Sequence, residues 1–314
     1  MRDLRIVFMG TPDFAVAILK RLVEDNYTIV GVVTAPDKPA GRGRKITESA
    51  VKKYAIEQNL FLLQPTNLKS EDFINKLKEV KSTLQVIVAF RMLPKIVWEI
   101  PIYGTFNLHA SLLPSYRGAA PIHWAIINGE EKTGVTTFFI DEKIDTGEII
   151  LQKEILIHKD EIVGELHDRL MVLGATLVSE TVVNIRDDKI STQKQPKIDE
   201  KIAPKLFPEN CKINWEDSLD SIYNHIRGLN PFPAAWSEMN NNDGITTVKI
   251  YKVRKEKVAH TEIIKTITTS KKEIKIAVKG GYIYIDELKV SGKKKLDSKS
   301  LLNGYSFSSN AEML

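Results

Sequence analysis

The chain has 314 residues, 43% of them apolar and 27% charged, which is the balance of a soluble globular protein and excludes a disordered or fibrous one. A single cysteine, Cys211, excludes a disulfide framework and a thiolate metal site, and is typical of a reducing compartment. The net charge of +5 arises in the C-terminal third, because residues 205–314 hold 18 Lys and Arg against 13 Asp and Glu.

Short apolar runs alternate with amphipathic stretches over the first half of the sequence. The first run predicts a strand at 4–9; it is too short for a signal peptide or a membrane span, so we expect a cytoplasmic protein without membrane contact. Later runs predict strands at 28–34, 61–63, 84–90, 104–109, 134–140 and 148–157, and helices at 14–25, 48–58, 70–79 and 163–185. This alternation favours an α/β domain with a parallel, doubly wound sheet.

The remainder of the sequence has a different composition. Lys, Gln, Pro and Asp crowd residues 188–208 without a period, as in a linker. We predict a catalytic domain at 1–188, a linker at 189–207 and a smaller domain at 208–314, with a single domain as the alternative at this length. A predicted helix at 216–227 precedes a stretch of sequence that is typical of short strands. Short strands without helices must pair their edges, so a small β-barrel is expected.

Cationic residues concentrate in two places. The loop after the second strand follows the carboxyl edge of the sheet, where open α/β sheets bind ligands, and its cations suit a polyanionic substrate. Those cations are Lys38, Arg42, Arg44 and Lys45. The second cluster, in the C-terminal region, fits contact with a phosphate backbone. Its members are Lys293, Lys294 and Lys295. For both clusters the alternative is a solvated surface with incidental charge.

Two common kinds of cofactor site are not indicated. The turn Gly10–Ala15 after the first strand lacks the further spaced glycines that a dinucleotide fingerprint requires. The histidines show no paired metal-ligand spacing, so no metal site is predicted.

The strongest group of chemical side chains begins at Asn107. Asn107 and His109 are two residues apart on a predicted strand and therefore project to the same face. Pro114 takes the chain out of the sheet beside them. A later turn carries Asp145, whose carboxylate could reach the histidine. Taken separately, His109 could be a buried structural histidine and Asp145 a simple turn residue; their joint occurrence favours a reaction centre.

These three residue types match the demands of formyl transfer to an amine. The amine loses a proton, the oxyanion needs a hydrogen-bond donor, and the departing nitrogen gains a proton. A histidine exchanges protons near neutral pH, a carboxylate orients it, and a carboxamide can stabilise the oxyanion by about 3–4 kcal/mol. Ser111 lacks the Gly-x-Ser-x-Gly elbow of a nucleophilic serine, so no covalent enzyme intermediate is expected.

The sequence resembles the 10-formyltetrahydrofolate-dependent formyltransferases. The residues that carry the likeness are Asn-x-His at Asn107–His109, Ser-Leu-Leu-Pro at Ser111–Pro114, an Arg-Gly, and Asp-Thr-Gly at Asp145–Gly147. The opening Gly-Thr-Pro-Asp-Phe-Ala, the Pro-Ala-Gly-Arg-Gly loop and the Asn-Pro-Phe-Pro-Ala-Ala-Trp segment extend it to the members that act on methionyl-tRNA. The resemblance covers nearly the whole chain.

This resemblance implies a Rossmann-like N-terminal domain and a C-terminal barrel similar to an OB fold. It implies formyl transfer from 10-formyltetrahydrofolate to methionyl initiator tRNA, with Asn107, His109 and Asp145 as the catalytic trio. Separately, we expect a monomer that uses no metal. The cationic loop containing Arg42 would enter the tRNA acceptor end, and the C-terminal lysines would hold the tRNA backbone. The implied folate-binding residues are Ser111, Leu112, Leu113, Pro114, Phe90, Arg91, Met92 and Leu93.

The chain departs from the family pattern at one place, and a second kind of acceptor is an alternative. Relatives often have Ala-Tyr-Gly before the Leu-x-x-Pro that borders the pterin pocket, whereas this chain has Ala89-Phe90-Arg91-Met92-Leu93-Pro94. Sugar-nucleotide formyltransferases, which act for example on a UDP-aminopentose, also carry an appended C-terminal domain. The cationic loop favours tRNA over the sugar nucleotide.

Overall fold

The computed structural model describes residues 1–40, 45–197, 201–242 and 244–314. The strands in chain order are β1 (Arg5–Gly10), β2 (Thr28–Val33), β3 (Lys38–Ala40), β4 (Lys45–Thr47), β5 (Leu62–Leu63), β6 (Leu84–Val88), β7 (Thr105–His109), β8 (Arg117–Gly118), β9 (Lys132–Phe139), β10 (Ile149–Leu156), β11 (Ile202–Ala203), β12 (Ala235–Asn241), β13 (Gly244–Lys257), β14 (Ile267–Thr269), β15 (Ile274–Val278), β16 (Gly281–Val290), β17 (Leu296–Asp297) and β18 (Glu312–Met313). The helices are α1 (Asp13–Glu24), α2 (Ala50–Glu57), α3 (Glu71–Glu79), α4 (Lys95–Trp98), α5 (Pro121–Ile127), α6 (Val163–Arg186), α7 (Leu219–Gly228) and α8 (Ser298–Leu302), with one 3-10 turn at Pro208–Cys211.

The chain divides into two compact units. The first unit comprises Met1–Gly118, Gly134–Ile155 and His167–Ile202, and the second unit comprises Ala119–Thr133, Leu156–Leu166 and Ala203–Leu314. Two segments from the predicted catalytic domain at 1–188 thus belong to the second unit, which no local sequence pattern indicated. The functional division at 188 and 208 stays a prediction.

The first unit is built on a seven-stranded sheet in the order β10-β9-β7-β6-β1-β2-β5. The strands from β5 to β7 run parallel, and β9 pairs antiparallel with β7. Strand β1 is covered on both faces, since Ile6, Val7, Phe8 and Met9 are fully buried, which explains its continuous apolar run. The predicted α/β fold is confirmed.

The order of the sheet places a switch point between β1 and β6. From β1 the chain builds outward through β2 and β5, and from β6 it builds the other way through β7. Ligands of open α/β sheets bind outside the carboxyl ends of strands at such a point. Strand β6 was predicted to reach residue 90 but ends at Val88, because Ala89 adopts a left-handed conformation with φ of 46°.

The second unit contains an antiparallel sheet in the order β14-β15-β16-β13-β12-β18, with β17 paired to β16. Its two ends approach each other, because the Ile267 amide donates to the Ala311 carbonyl at 3.0 Å and the Met313 amide to the Lys265 carbonyl at 3.0 Å. The result is a nearly closed barrel, which confirms the prediction. Helix α7 closes the barrel with buried side chains that include Ile222 and Ile226.

The core of the second unit includes the fully buried Trp215, whose indole N–H donates to the Ser237 hydroxyl at 2.9 Å. A buried indole satisfied in this way contributes a large apolar area without an unpaired donor. No helix within the described ranges has both the length and the apolar character that a membrane crossing requires.

Candidate active site

Asn107 and His109 lie on one face of β7, at the carboxyl edge of the sheet. Leu108, between them, is buried against α6; a Cβ on Gly174 of that helix would lie 2.8 Å from the Leu108 Cδ2 atom. Because side chains alternate along a strand, Asn107 and His109 face away from α6. The structure therefore gives both groups access to the same side of the sheet, as the spacing predicted.

The two nitrogens of His109 have different surroundings. Nε2 lies 2.8 Å from the Tyr116 carbonyl oxygen, and Nδ1 lies 3.8 Å from Asp145 Oδ2. A carbonyl oxygen only accepts hydrogen bonds, so Nε2 carries the proton in the neutral ring and Nδ1 keeps its lone pair. His109 is 6% exposed, so bulk water has little access to either nitrogen.

Asp145 is held by its own backbone and by a neighbouring amide. Its φ of 55° is left-handed, a conformation that aspartate tolerates better than most residues. The Gly118 amide donates to Oδ2 at 2.9 Å, which fixes the carboxylate on the side of His109. Two residues later, Gly147 packs so tightly that a Cβ there would lie 1.6 Å from the Phe139 carbonyl oxygen.

Two side chains that sequence reasoning did not assign to the site hold the Asp145 backbone. Arg117 donates from Nε to the Asp145 carbonyl at 3.0 Å, and Gln195 donates from Nε2 to the same carbonyl at 2.9 Å and to the Gly147 carbonyl at 2.8 Å. Arg117 also donates from Nη2 to Gln195 Oε1 at 2.6 Å. Gln195 lies in the segment predicted as a linker, and no local pattern ties it to a residue 50 positions earlier.

The Asn107 carboxamide makes no hydrogen bond to any part of the chain that the structure describes. It is half-buried on β7, opposite Phe138 of β9. A half-buried carboxamide without a partner is costly unless a ligand or water satisfies it. The group is thus free to act on a molecule bound beside His109.

The turn Ser111–Pro114 is held from within the first unit. Ser111 donates its hydroxyl to the Ser115 carbonyl at 2.6 Å and accepts at its own carbonyl from the Thr136 hydroxyl at 2.6 Å. The Gln152 carboxamide donates to the Leu113 carbonyl at 2.9 Å.

The Leu113 side chain packs with Phe138 and Ile149. These groups make the turn a rigid support for His109, and its folate contacts stay a prediction.

The segment Phe90–Leu93 follows β6 at the switch point. Phe90 and Leu93 pack into the core of the first unit, whereas Met92 is 68% exposed. The amides of Phe90, Arg91 and Met92 have no hydrogen-bond partner among residues 1–40, 45–197, 201–242 and 244–314. The Arg91 guanidinium turns back and donates to the carbonyls of Pro65 and Thr66, the latter at 3.0 Å. The residue that departs from the family pattern is therefore bound to the chain itself.

The cationic loop between β3 and β4 is only partly described. Arg42 and Arg44 lie outside the described residues, while Lys38 is exposed and Lys45 begins β4. Asp37 anchors the base of the loop by accepting from Lys52 Nζ at 2.5 Å and from Gln64 Nε2 at 2.9 Å. The hydrogen bond from Lys52, reinforced by that from Gln64, lowers the pKa of the Asp37 carboxyl.

The C-terminal lysine cluster belongs to the second unit. Lys295 forms an ion pair with Glu287 at 2.9 Å, and its ammonium lies 5.1 Å from the Tyr251 ring centroid. Lys293 lies 5.6 Å from the Tyr305 ring centroid. Lys294 is exposed and has no ion-pair partner among the described residues. The three cations that looked equivalent in the sequence therefore differ in how much charge they offer.

Comparison with known families agrees with this site. The chain matches the model of the formyl transferase family over residues 4–182, and that of the formyl transferase C-terminal domain over residues 205–306. The protein belongs to the formyl transferase family.

Curated relatives match along the full chain. It is 56% identical over 314 residues to a methionyl-tRNA formyltransferase of Flavobacterium johnsoniae, covering 100% of both chains. It is 51% identical to the methionyl-tRNA formyltransferase of Bacteroides thetaiotaomicron, covering 99% of this chain and 98% of that one.

Solved structures share the fold at lower identity. An N-formyltransferase of Helicobacter canadensis, in complex with folinic acid and dTDP-3-aminofucose, has a TM-score of 0.65 at 21% identity and covers 90% of this chain and 98% of its own. HypX from Aquifex aeolicus, in complex with tetrahydrofolic acid, has a TM-score of 0.64 at 18% identity and covers 96% of this chain and 47% of its own.

Proposed function

We propose that this protein transfers the formyl group of 10-formyltetrahydrofolate to the α-amino group of methionyl initiator tRNA, the modification that prepares this tRNA for translation initiation. The observation that carries the proposal is the match over 100% of the chain, at 56% identity, to a relative named methionyl-tRNA formyltransferase. We further propose that the protein acts as a monomer in the cytoplasm.

The donor site is proposed at the segment Phe90–Leu93 and the turn Ser111–Pro114. Unpaired backbone amides at residues 90–92 suit a flat heterocycle with several acceptors, and the exposed Met92 can pack on its ring. Because Arg91 is bound to the Pro65 and Thr66 carbonyls, its charge does not occupy this space. When bound here, the folate supplies the formyl group as an activated amide.

The trio divides the remaining work. His109 takes the proton of the attacking amine at Nδ1, since Nε2 is held by the Tyr116 carbonyl. The Asp145 carboxylate, 3.8 Å from Nδ1, stabilises the imidazolium that results. His109 then gives this proton to the departing folate nitrogen as the bond between that nitrogen and the formyl carbon breaks. The Asn107 carboxamide, which has no partner within the described chain, donates a hydrogen bond to the oxygen that becomes negative. The direct attack leaves no role for a covalent enzyme intermediate.

The acceptor can be tested with two substrates in parallel. We expect formylation of charged initiator tRNA from 10-formyltetrahydrofolate, followed by acid precipitation of the labelled product, and no reaction with a UDP-aminopentose. A protein that formylates the sugar and leaves the tRNA unmodified would have the rival function of a sugar-nucleotide formyltransferase. Omitting the folate from both reactions is the control for transfer from another donor.

A further inference from the structure

The second unit contains a cavity of about 610 Å³ that the catalytic trio does not use. Three aromatic side chains contribute to its wall: Phe207, Phe232 and Trp236. Phe232 is 78% exposed and Phe207 is 53% exposed. Large aromatic side chains that remain exposed around one concavity indicate a binding site rather than a packing defect.

The polar group of the Trp236 indole is already satisfied. Its N–H donates to the Pro208 carbonyl at 2.7 Å, and the Lys212 ammonium lies 5.4 Å from its ring centroid. Lys212 is in turn paired with Glu238 at 2.8 Å, so it adds little net charge. Trp236 therefore offers the cavity an apolar ring rather than a hydrogen bond.

A row of side chains leads from this wall across three strands. Trp236 of β12 is directly opposite Lys249 of β13, and Lys249 is directly opposite Lys289 of β16. Trp236 and Lys249 both line the cavity, and cross-strand neighbours share a face, so Lys289 extends the same surface. The row places an aromatic ring opposite one lysine, with a second lysine on the next strand.

Neither lysine of the row has a carboxylate partner in the described chain. Lys249 donates to the Pro233 carbonyl at 3.0 Å, and both lysines are exposed. Like charges directly opposite each other on a sheet are destabilising. Such a repulsion between two lysines is expected at a site where an anionic ligand binds between them and offsets it.

We infer that this cavity binds an unpaired nucleotide of the RNA substrate, with the base against Phe207, Phe232 and Trp236 and the phosphates on Lys249 and Lys289. Aromatic side chains beside cations are how proteins bind single-stranded nucleic acid, because every base has a face to stack and every linkage a charge. The identity of the RNA rests on the proposed function. The affinity for a base and a phosphate rests on the cavity and the lysine row alone.

The first experiment separates stacking from charge on the full-length protein. Calorimetry compares the tetranucleotide rA4 with an abasic tetramer of equal charge. Wild-type protein should bind rA4 about tenfold more tightly, the order of magnitude that one stacked base contributes. Phe232→Ala should remove that difference. Phe61→Ala is the matched control, since Phe61 in the first unit is 51% exposed, and it should bind like wild type.

The second experiment tests the lysine row against a structural role. Lys289→Gln should weaken rA4 binding and reduce the magnitude of the negative slope of log affinity against log salt by about 0.7. The thermal stability should stay equal or rise, because the substitution removes a like-charge pair. Lys53→Gln, an exposed lysine of α2 without an ion pair among the described residues, is the control. Unchanged binding by both Phe232→Ala and Lys289→Gln would overturn the inference, as would equal affinity of wild type for the two tetramers.

Formylation assays on the same variants separate this inference from the proposed function. Phe232→Ala should raise the KM for charged initiator tRNA and leave kcat nearly unchanged. If wild type formylates tRNA but Phe232→Ala keeps its KM and its rA4 affinity, the nucleotide site is wrong and the function stands. If wild type prefers rA4 over the abasic tetramer but does not formylate tRNA, the acceptor is wrong and the site stands. A change of oligomeric state in Phe232→Ala with unchanged rA4 binding would identify a protein interface instead.

Discussion

His109 has a different acceptor on each side of its ring, and this asymmetry decides what each nitrogen can do. The Tyr116 carbonyl holds the proton at Nε2, 2.8 Å away, which leaves Nδ1 toward the Asp145 carboxylate. The carbonyl can do this because Tyr116 has a left-handed φ of 63° in the turn after Pro114. The chemistry of one side chain thus depends on the backbone path of the next seven residues.

Removal of His109 tests the proton transfer. His109→Ala should lower the single-turnover rate by about 10²–10⁴, because a positioned acid–base group typically contributes that factor. The affinity for tRNA should change little, since the sheet stays in place. The melting temperature should fall, because a buried ring and its hydrogen bond to the Tyr116 carbonyl are lost. Rapid-quench kinetics with saturating folate measures the rate.

The matched control for that variant is His158→Ala. His158 is an exposed histidine of the second unit whose backbone, not its ring, is hydrogen-bonded to Glu161. It should retain the wild-type rate. A His109→Ala enzyme within threefold of wild type would remove His109 from the reaction.

At the scale of elements, the loop between β9 and β10 delivers Asp145 to β7. Gly147 fits at its end only because it has no side chain, and Gln195 and Arg117 bind the Asp145 carbonyl from two other parts of the chain. The loop is therefore positioned by backbone contacts rather than by an apolar core of its own. Its geometry should be sensitive to small changes in volume.

Gly147→Ala tests this sensitivity. A Cβ placed 1.6 Å from the Phe139 carbonyl oxygen must move backbone, which we expect to cost about 1–3 kcal/mol of unfolding free energy and to displace Asp145 from His109. Both the melting temperature and kcat should fall. Gly304→Ala is the control, because nothing lies within 4 Å of a Cβ at that position and it should melt like wild type. A Gly147→Ala protein with wild-type stability would show that the loop can adapt.

At the scale of the whole molecule, the excess positive charge is not evenly available. Lys295 is paired with Glu287, whereas Lys294 has no ion pair within the described residues. An unpaired lysine can release counterions from a phosphate, and a paired one must first give up its partner. The predicted tRNA contact of the C-terminal cluster should therefore depend less on Lys295 than on the two members without an ion pair among the described residues, Lys293 and Lys294.

The salt dependence of tRNA affinity measures this difference. Lys294→Gln should reduce the magnitude of the negative slope of log affinity against log salt by about 0.7–0.9, the value for one phosphate contact. Lys295→Gln should lower it less, since that substitution also frees the Glu287 carboxylate. Equal slopes in wild type and Lys294→Gln would show that Lys294 does not contact the tRNA and belongs to an ordinary solvated surface.

Stability at acid pH should depend on His225 of α7. Burial lowers the pKa of this histidine, and a backbone hydrogen bond with Cys211 opposes the shift only in part. Its Nε2 has no partner within the described chain. The unfolded chain, with a pKa near the ordinary value of 6.5, then binds more protons than the folded one between the lowered folded pKa and that value. The free energy of unfolding should therefore fall as the pH drops from 7.5 to 5.5.

Urea unfolding followed by tryptophan fluorescence measures this effect in the second unit, which holds Trp124, Trp215 and Trp236. His225→Gln should unfold with a smaller pH dependence than wild type over the same range, whatever its stability at pH 7.5. Identical pH dependence in the two proteins would assign the acid sensitivity to other groups.

Features that depend on short-range patterns could be predicted from the order of residues alone. Continuous apolar runs predicted the buried strands β1 and β6, because strands covered on both faces need no polar alternation. The spacing of Asn107 and His109 placed them on one face, since a strand repeats every two residues. Helix α6, predicted at 163–185 and found at Val163–Arg186, shows how well a long periodic segment is predicted.

The folded chain was needed to show which distant residues meet. Gln195 at the Asp145 carbonyl, residues 119–133 in the second unit, and the lysine row beside Trp236 all depend on pairings between residues far apart in the chain. Such contacts leave no period in the local sequence, because each partner is chosen by the path of the whole backbone. The sequence of a strand predicts which of its side chains share a face. The strands that will pair with it are known only after the chain has folded.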